Sequence, residues 1–378
     1  MISTVLKPIK LADAWLSEPT PNATGRLGLF RILYALFYLW YLATQHTAKI
    51  SFLPRSYFTN RILLLEGWNF PPSFLSLSIV ESIMAAMLVL LMFGLRTKLV
   101  TFCVILLGLI LEGYYTTVDA EQGNILLVFF IPCFMMLAGR WGDAHSLDRL
   151  NCAKAGKTVV DEHAPNASFL ASRLLLVFLS GQFVLSGIYK LNGTWITDDD
   201  LLGNLMLSTS VDAAYLGLYV NPFAKLIADT PLLHIGLQWL AILFECFFFV
   251  CLFGRIPRLI VLSSALIFHT LNAYLMWVTF TNIMIAYAAF IDWQTLFDRL
   301  KLGRIEKRIE AIPLKLTVAS VLMIAVLTGV SWNISTFARA ILTIGGMVDF
   351  QTIWLPIPLI VLVWIGSFLV FKQDRKSW

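Results

Sequence analysis

Long apolar runs separated by short polar breaks dominate the chain. Runs of the ~17–25 residues needed to cross a bilayer fall at roughly 27–48, 75–95, 98–118, 123–139, 168–191, 232–253, 259–277, 279–297, 314–333 and 353–371. The pattern predicts an all-α, polytopic integral membrane bundle of about ten transmembrane helices, with eight as the lower bound. The fourth run is short. The seventh and eighth are nearly continuous, broken only around Trp277 to Asn282, so one long helix with a re-entrant piece is the alternative to two spans. The expected organisation is a polar lead-in over 1–26, a single transmembrane domain over 27–371 and a tail over 372–378. The lead-in lacks the charged, apolar and small-residue succession of a cleaved signal peptide, so the first span is expected to be retained.

Charge placement fits that count. With both termini cytoplasmic, all but six of the 28 Lys and Arg residues lie on the cytoplasmic side, leaving Lys49, Arg55, Arg61, Lys190, Lys225 and Arg339 on the other, as the positive-inside bias requires. A soluble globule is excluded, because 58% hydrophobic against 13% charged residues leaves too little polar surface to cover one. The net charge of +5 is too small and scattered to argue for nucleic acid. The expected partners are the lipid bilayer and membrane-soluble molecules.

Two connections are long. The outer loop from Asn192 to Pro231 opens with the acidic triplet Asp198 to Asp200 and continues in mixed apolar and small residues, long enough to lie on the membrane as a lid. The inner loop from Gly139 to Asn166 is polar and reads as a plain connector. Cys103, Cys133, Cys246 and Cys251 fall within spans and Cys152 on the cytoplasmic side, which leaves no disulfide pair on the oxidising side. His46, His145, His163, His234 and His269 sit in different segments without ligand spacing, so no metal site is expected.

Candidate chemistry therefore rests on sparse polar groups inside the spans. In GQFVLSGIYKLNGTW, Gly181 to Trp195, an apolar helix carries Lys190 almost to its end, a costly charge unless it is satisfied or used. Gly187 and Ser186 share its helical face and leave room beside it. The first span carries Arg31, Tyr34, Tyr38, Tyr41 and Gln45 at steps of three and four, a hydrogen-bonding stripe expected to face the bundle, either as interhelical glue or as part of a ligand site. Glu81, Glu112 and Glu245 are single acids in three further spans. Each is expected to point inward to a partner such as Arg31 or Lys190, for structure or for function. His269 and Asn272 are three residues apart and share a face, as a satisfied core pair or as a site.

These segments also carry a resemblance. GIYKLNGTW is similar to the segment of the vitamin K-dependent gamma-carboxylases in which glycine, a hydrophobic pair, lysine, leucine and then tryptophan follow in order. FHTLNAYLMWVTFTNIMIA resembles the family's histidine-containing helix, GDAHSLDRL (Gly142 to Leu150) its Ser-x-Asp loop, and LGLFRILYAL its first helix. In their shared order, over about residues 25–297, they resemble the wider HTTM (horizontally transferred transmembrane) family, with two additional C-terminal spans over about 314–371. The resemblance implies that Lys190 is a catalytic base that deprotonates a reduced quinone of the vitamin K or menaquinone type, a co-substrate held without covalent attachment. It assigns His269, Asn272, Asn124, Tyr189 and Trp195 to substrate binding. Arg31, Tyr34, Tyr38, Glu81, Glu112 and Glu245 are expected to shape the cavity.

The sequence departs from that family in two places. Gly123-Asn124-Ile125 has isoleucine where the carboxylases have a histidine, and their large lumenal portion has no counterpart before Trp378. Carboxylation of a docked protein is therefore not expected, while quinol binding remains. The HTTM family includes bacterial membrane proteins that mature a secreted peptide. A second expectation follows, a partner-dependent factor for maturation or export of a small secreted peptide, working with an accessory protein in the bacterial inner membrane. A transporter is the third, although no repeat is visible among the spans.

Overall fold

The computed structural model is all-helical and describes residues 15–16, 18–45, 47–52, 73–115, 125–159, 161, 170–215, 221–276, 278, 280–301, 318–324 and 326–328. Among the described residues six helices are long and apolar enough to cross a membrane: Ala23–Ala43, Phe74–Phe93, Thr97–Tyr115, Leu170–Leu191, Pro231–Phe253 and Arg255–Met276. They coincide with six of the apolar runs, and the chain is a helical membrane protein. The run at 353–371, both termini and much of 314–333 lie outside the described residues. Contacts divide the chain into two compact units.

The first unit comprises Met1–Arg173, Ile285–Leu355 and Ile365–Trp378. Its helix α1, Ala23–Gln45, packs against α2, Phe74–Phe93, which in turn packs on α3, Thr97–Tyr115. Ser73 caps α2 by accepting from the Ser76 amide, and Gly94 ends it at φ +67° with its own N–H turned back onto the Leu90 and Leu91 carbonyls. A side chain at Gly94 is excluded twice over, by the left-handed backbone and by Ser146 Cβ, 2.4 Å from where its Cβ would stand. The first turn of α3 is capped from a distance in sequence: the Asp148 carboxylate accepts from the Arg96 amide, the Thr97 amide and the Thr97 hydroxyl, each at 2.7 Å.

Helix α4, Leu126–Gly139, is irregular. Pro132 has no N–H for the helical ladder, and the turns on either side, Leu126–Phe130 and Met135–Gly139, open into π-helix, the Ile131 amide reaching back to the Leu126 carbonyl. The helix ends at Arg140, whose φ is +47°.

The inner loop is more than a connector. Arg31 is fully buried, and its guanidinium donates to the carbonyls of Trp141 (2.6 Å), Ala144 (3.2 Å) and His145 (2.5 Å). Trp141 is buried against Phe30 and Tyr34 and donates to the Thr101 hydroxyl. The loop then enters α5, Leu147–Lys154, capped by Ser146, which accepts from the Arg149 amide. The polarity read as connector belongs to side chains that cap helices.

The second unit comprises Leu174–Met284 and Pro356–Trp364. Helix α6, Leu170–Leu191, has its first four residues in the first unit. The outer loop folds as helices: a single turn at Thr194–Thr197, then α7, Leu201–Tyr215, and α8, Pro222–Ala228. Helix α9, Pro231–Phe247, runs on through a 3-10 stretch, Phe248–Phe253, to α10, Arg255–Met276. Leu202 and Met206 of α7, Ala224 and Ala228 of α8, and Leu275 and Met276 of α10 form a small core, so the segment read as a lid has its own packing.

The eighth run is not a continuous span. It forms α11, Thr281–Ala288, and α12, Trp293–Arg299, of 8 and 7 residues. The break is built by Asp292, which caps α12, and by the Trp293 indole N–H, which donates to the Ala288 carbonyl at 2.6 Å. Within the first unit, α12 lies against α1: Arg26 donates to the Phe290 carbonyl at 3.0 Å and Asn22 to the Thr295 hydroxyl at 3.4 Å.

Candidate functional site

The second unit gathers the charged and titratable groups that the sequence left isolated. Lys190, in the last turn of α6, donates to Glu245 Oε1 of α9. Their side chains are 16% and 6% exposed, so the charges pair largely out of water, where a lone charge costs several kcal/mol. Glu245 thus has the Lys190 partner anticipated for it.

Gly187 has a different role from the one expected. It leaves no room beside the lysine, because a Cβ there would stand 2.7 Å from Cys246 Sγ and 2.8 Å from the Cys246 backbone nitrogen. The missing side chain instead lets α6 and α9 approach closely enough for the lysine one turn later to meet the carboxylate.

Two further groups lie near the pair. The Lys190 ammonium lies 4.6 Å from the centroid of the Trp195 ring, a cation–π geometry. His269 is 2% exposed, with the rings of Phe280, Phe268 and Phe183 at 4.8, 5.4 and 5.9 Å, and close enough to Lys190 to feel its charge. Phe183 stacks on Phe248 at 4.0 Å with the planes 4° apart. The ion pair with its indole and the aromatic cluster about His269 therefore lie in one unit, within electrostatic reach of each other. Within it Glu245 Oε2 is buried with no hydrogen-bond partner among the described residues.

A residue absent from the sequence-based candidates ties the segment after α6 to α9. Gln238 is 1% exposed. Its amide donates to the carbonyls of Trp195 (2.6 Å) and Asp198 (3.0 Å), and its oxygen accepts from the Leu202 amide (3.2 Å). It sits seven residues before Glu245, two turns along α9, a spacing that puts both on one face; that spacing was the available signal. His234, four residues earlier still, is buried, with Nδ1 3.0 Å from the Ala228 carbonyl and Nε2 3.2 Å from the exposed Asp200 carboxylate.

The remaining expected residues are placed differently. Asn272 is half-buried, one turn from His269. Tyr189 is 78% exposed and makes none of these contacts. Asn124 lies outside the described residues. Arg31, Tyr34, Tyr38, Glu81 and Glu112 are all buried in the first unit: Arg31 is occupied by loop carbonyls, the Tyr34 hydroxyl donates to the Leu127 carbonyl at 2.8 Å, and Tyr38 lies within electrostatic reach of Glu112. The stripe is buried as far as Tyr41, and the Gln45 side chain is outside what is described. Among the described residues no three His, Cys, Asp or Glu side chains gather as a metal ion would need. Comparisons with protein-family models, with the curated proteins and with the solved structures gave no match.

Proposed function

We propose that the protein is an HTTM-type membrane enzyme, similar to the membrane part of the vitamin K-dependent gamma-carboxylases, that takes a proton from a lipid-soluble quinol at Lys190. The observation that carries this reading is the Lys190–Glu245 pair beside the Trp195 ring, with one carboxylate oxygen left without a donor. A quinol supplies an acidic O–H and a flat ring. Glu245 Oε2 accepts from a hydroxyl, the phenylalanines about His269 stack on the ring, and His269 and Asn272 orient the far oxygen. With the pair one proton short, the neutral amine of Lys190 accepts the phenolic proton. The resulting ammonium is held by the Glu245 carboxylate and the Trp195 face, and its charge stabilises the quinolate. In this reading the chain crosses the bacterial inner membrane with both termini in the cytoplasm, in up to ten spans.

The test is quinol binding and turnover in nanodiscs with reduced menaquinone or vitamin K, comparing wild type with the Lys190→Met/Glu245→Gln double variant, which removes the base without stranding a buried charge. With dioxygen supplied as oxidant, binding by the wild type, with quinone epoxide formation lost in the folded double variant, supports the reading. Absence of quinol binding by the wild type ends it for this substrate class.

A second reading, a partner-dependent factor for maturation or export of a secreted peptide, draws on the outer helices. Val211 and Tyr215 at the end of α7 and Phe223 and Leu226 of α8 are 66%, 91%, 57% and 57% exposed, an apolar face suited to a hydrophobic peptide. Its test is loss of the secreted peptide when these four positions are made polar while quinol binding is kept.

A further inference from the structure

At one end of the first unit, the turn between α2 and α3 and the end of α4 bring Arg96, Lys98 and Arg140 around a recess of about 410 Å³. Its floor is apolar, with Leu99 and Met136 among the residues that line it. A second hollow of about 640 Å³ shares Arg96, Leu99 and Asp148 with the first and continues along the helices past Leu90, Val100 and Cys103 to Leu322. Both volumes lie in the ~300–1,000 Å³ range of ligand sites. The two hollows adjoin at Arg96, Leu99 and Asp148, a cationic recess beside a mostly apolar trough. From Arg96 to Cys103 the trough descends about 10 Å at ~1.5 Å per residue.

The acids nearby do not cancel the cations. Asp148 is consumed by the three donors that it caps at the start of α3. Asp143 stands 4.0 Å from Arg140, and burial raises its pKa above the ordinary carboxylate value against the pull of Arg140 and Lys98. The Arg96 and Lys98 side chains are exposed and have no acidic partner within 4 Å among the described residues. The depth, the charge and the apolar trough match one ligand chemistry, a phosphodiester carrying acyl chains.

We infer that this end of the first unit is a binding site for an anionic phospholipid, its phosphodiester held by Arg96, Lys98 and Arg140 and one acyl chain lying in the trough along α2 and α3. The site is separate from the Lys190 cluster and does not depend on the quinol reading.

The test is native mass spectrometry of the full-length protein in detergent, titrated with phosphatidylglycerol, phosphatidylethanolamine or phosphatidylcholine. The test variant is Arg96→Gly/Lys98→Gln/Arg140→Asn, in which glycine and asparagine suit the left-handed backbone at positions 96 and 140. Lys98→Gln alone, at an exposed side chain, keeps the experiment interpretable if the triple variant does not fold. Lys154→Gln/Lys157→Gln, removing two exposed charges from the inner loop, is the control. The expected result is one retained phosphatidylglycerol in preference to the other two lipids, with affinity falling about fivefold for each charge removed from the site and unchanged in the control. Equal retention of the three lipids by the wild type overturns the inference. So does a loss in the control as large as in the test variants, or competition by inorganic phosphate as effective as the lipid.

Discussion

Lys190 and Glu245, 55 residues apart in sequence, form a buried ion pair where α6 and α9 touch at Gly187 and Cys246. The pairing explains how an apolar helix tolerates a lysine, since each charge is the other's solvent. Removing one partner is therefore far more damaging than removing both. Lys190→Met alone should lower stability by about 3 kcal/mol, the low end for a buried pair because the lysine is partly exposed. Lys190→Met/Glu245→Leu should recover most of that loss. Thermal unfolding of the single and double variants in detergent measures the cycle, and additive losses would show that the pair is not coupled.

Gln238 should matter as much to the outer segment as the ion pair does to the spans. Gln238→Leu leaves two carbonyls and one amide without their partner, a cost of about 2 kcal/mol. The loss should be local, with faster hydrogen exchange at the Leu202 amide and proteolytic cleavage between Asn192 and Asp200 while α9 stays protected.

Asp148 is expected to act on a helix that it does not belong to. Asp148→Ala removes the cap of α3 and should destabilise the first unit by about 1–2 kcal/mol. Asp148→Asn, which keeps an acceptor, should lose less. Amide exchange at Arg96 and Thr97 distinguishes this from damage to α5.

Asp143 should give a pH dependence of its own. Its folded-state pKa is raised, first by burial, with Arg140 and Lys98 pulling the other way. A raised carboxyl favours the folded state while protonated, so the contribution is complete below the unfolded carboxylate value of ~3.9. It is lost as pH rises through the higher folded value. Asp143→Asn should therefore be neutral or stabilising at pH 7 and flatten the stability profile on the acid side, which thermal melts from pH 4 to pH 8 would show.

Much of the membrane architecture was legible in the sequence because a bilayer imposes a length on every apolar run, and six runs return as helices of that length. The stripe from Arg31 through Tyr41 was legible as a period. What was not legible depended on contacts between segments distant along the chain. No local signal tells Arg31 that its acceptors are loop carbonyls 110 to 114 residues later, or tells Gly187 that Cys246 occupies its missing side chain. Trp293 and Asp292 break an apolar run into two short helices, and hydropathy alone registers no such break. Gln238 reads in the sequence as one polar residue in an apolar helix, although its seven-residue spacing from Glu245 puts the two on one face.

The burial of Arg31 also has a consequence for synthesis of the chain. Its acceptors are made only after α1 to α4 have left the ribosome, so the guanidinium must wait, in water, at a lipid headgroup or with a chaperone, while three more helices are delivered. A product truncated before Trp141 would carry a guanidinium without these acceptors.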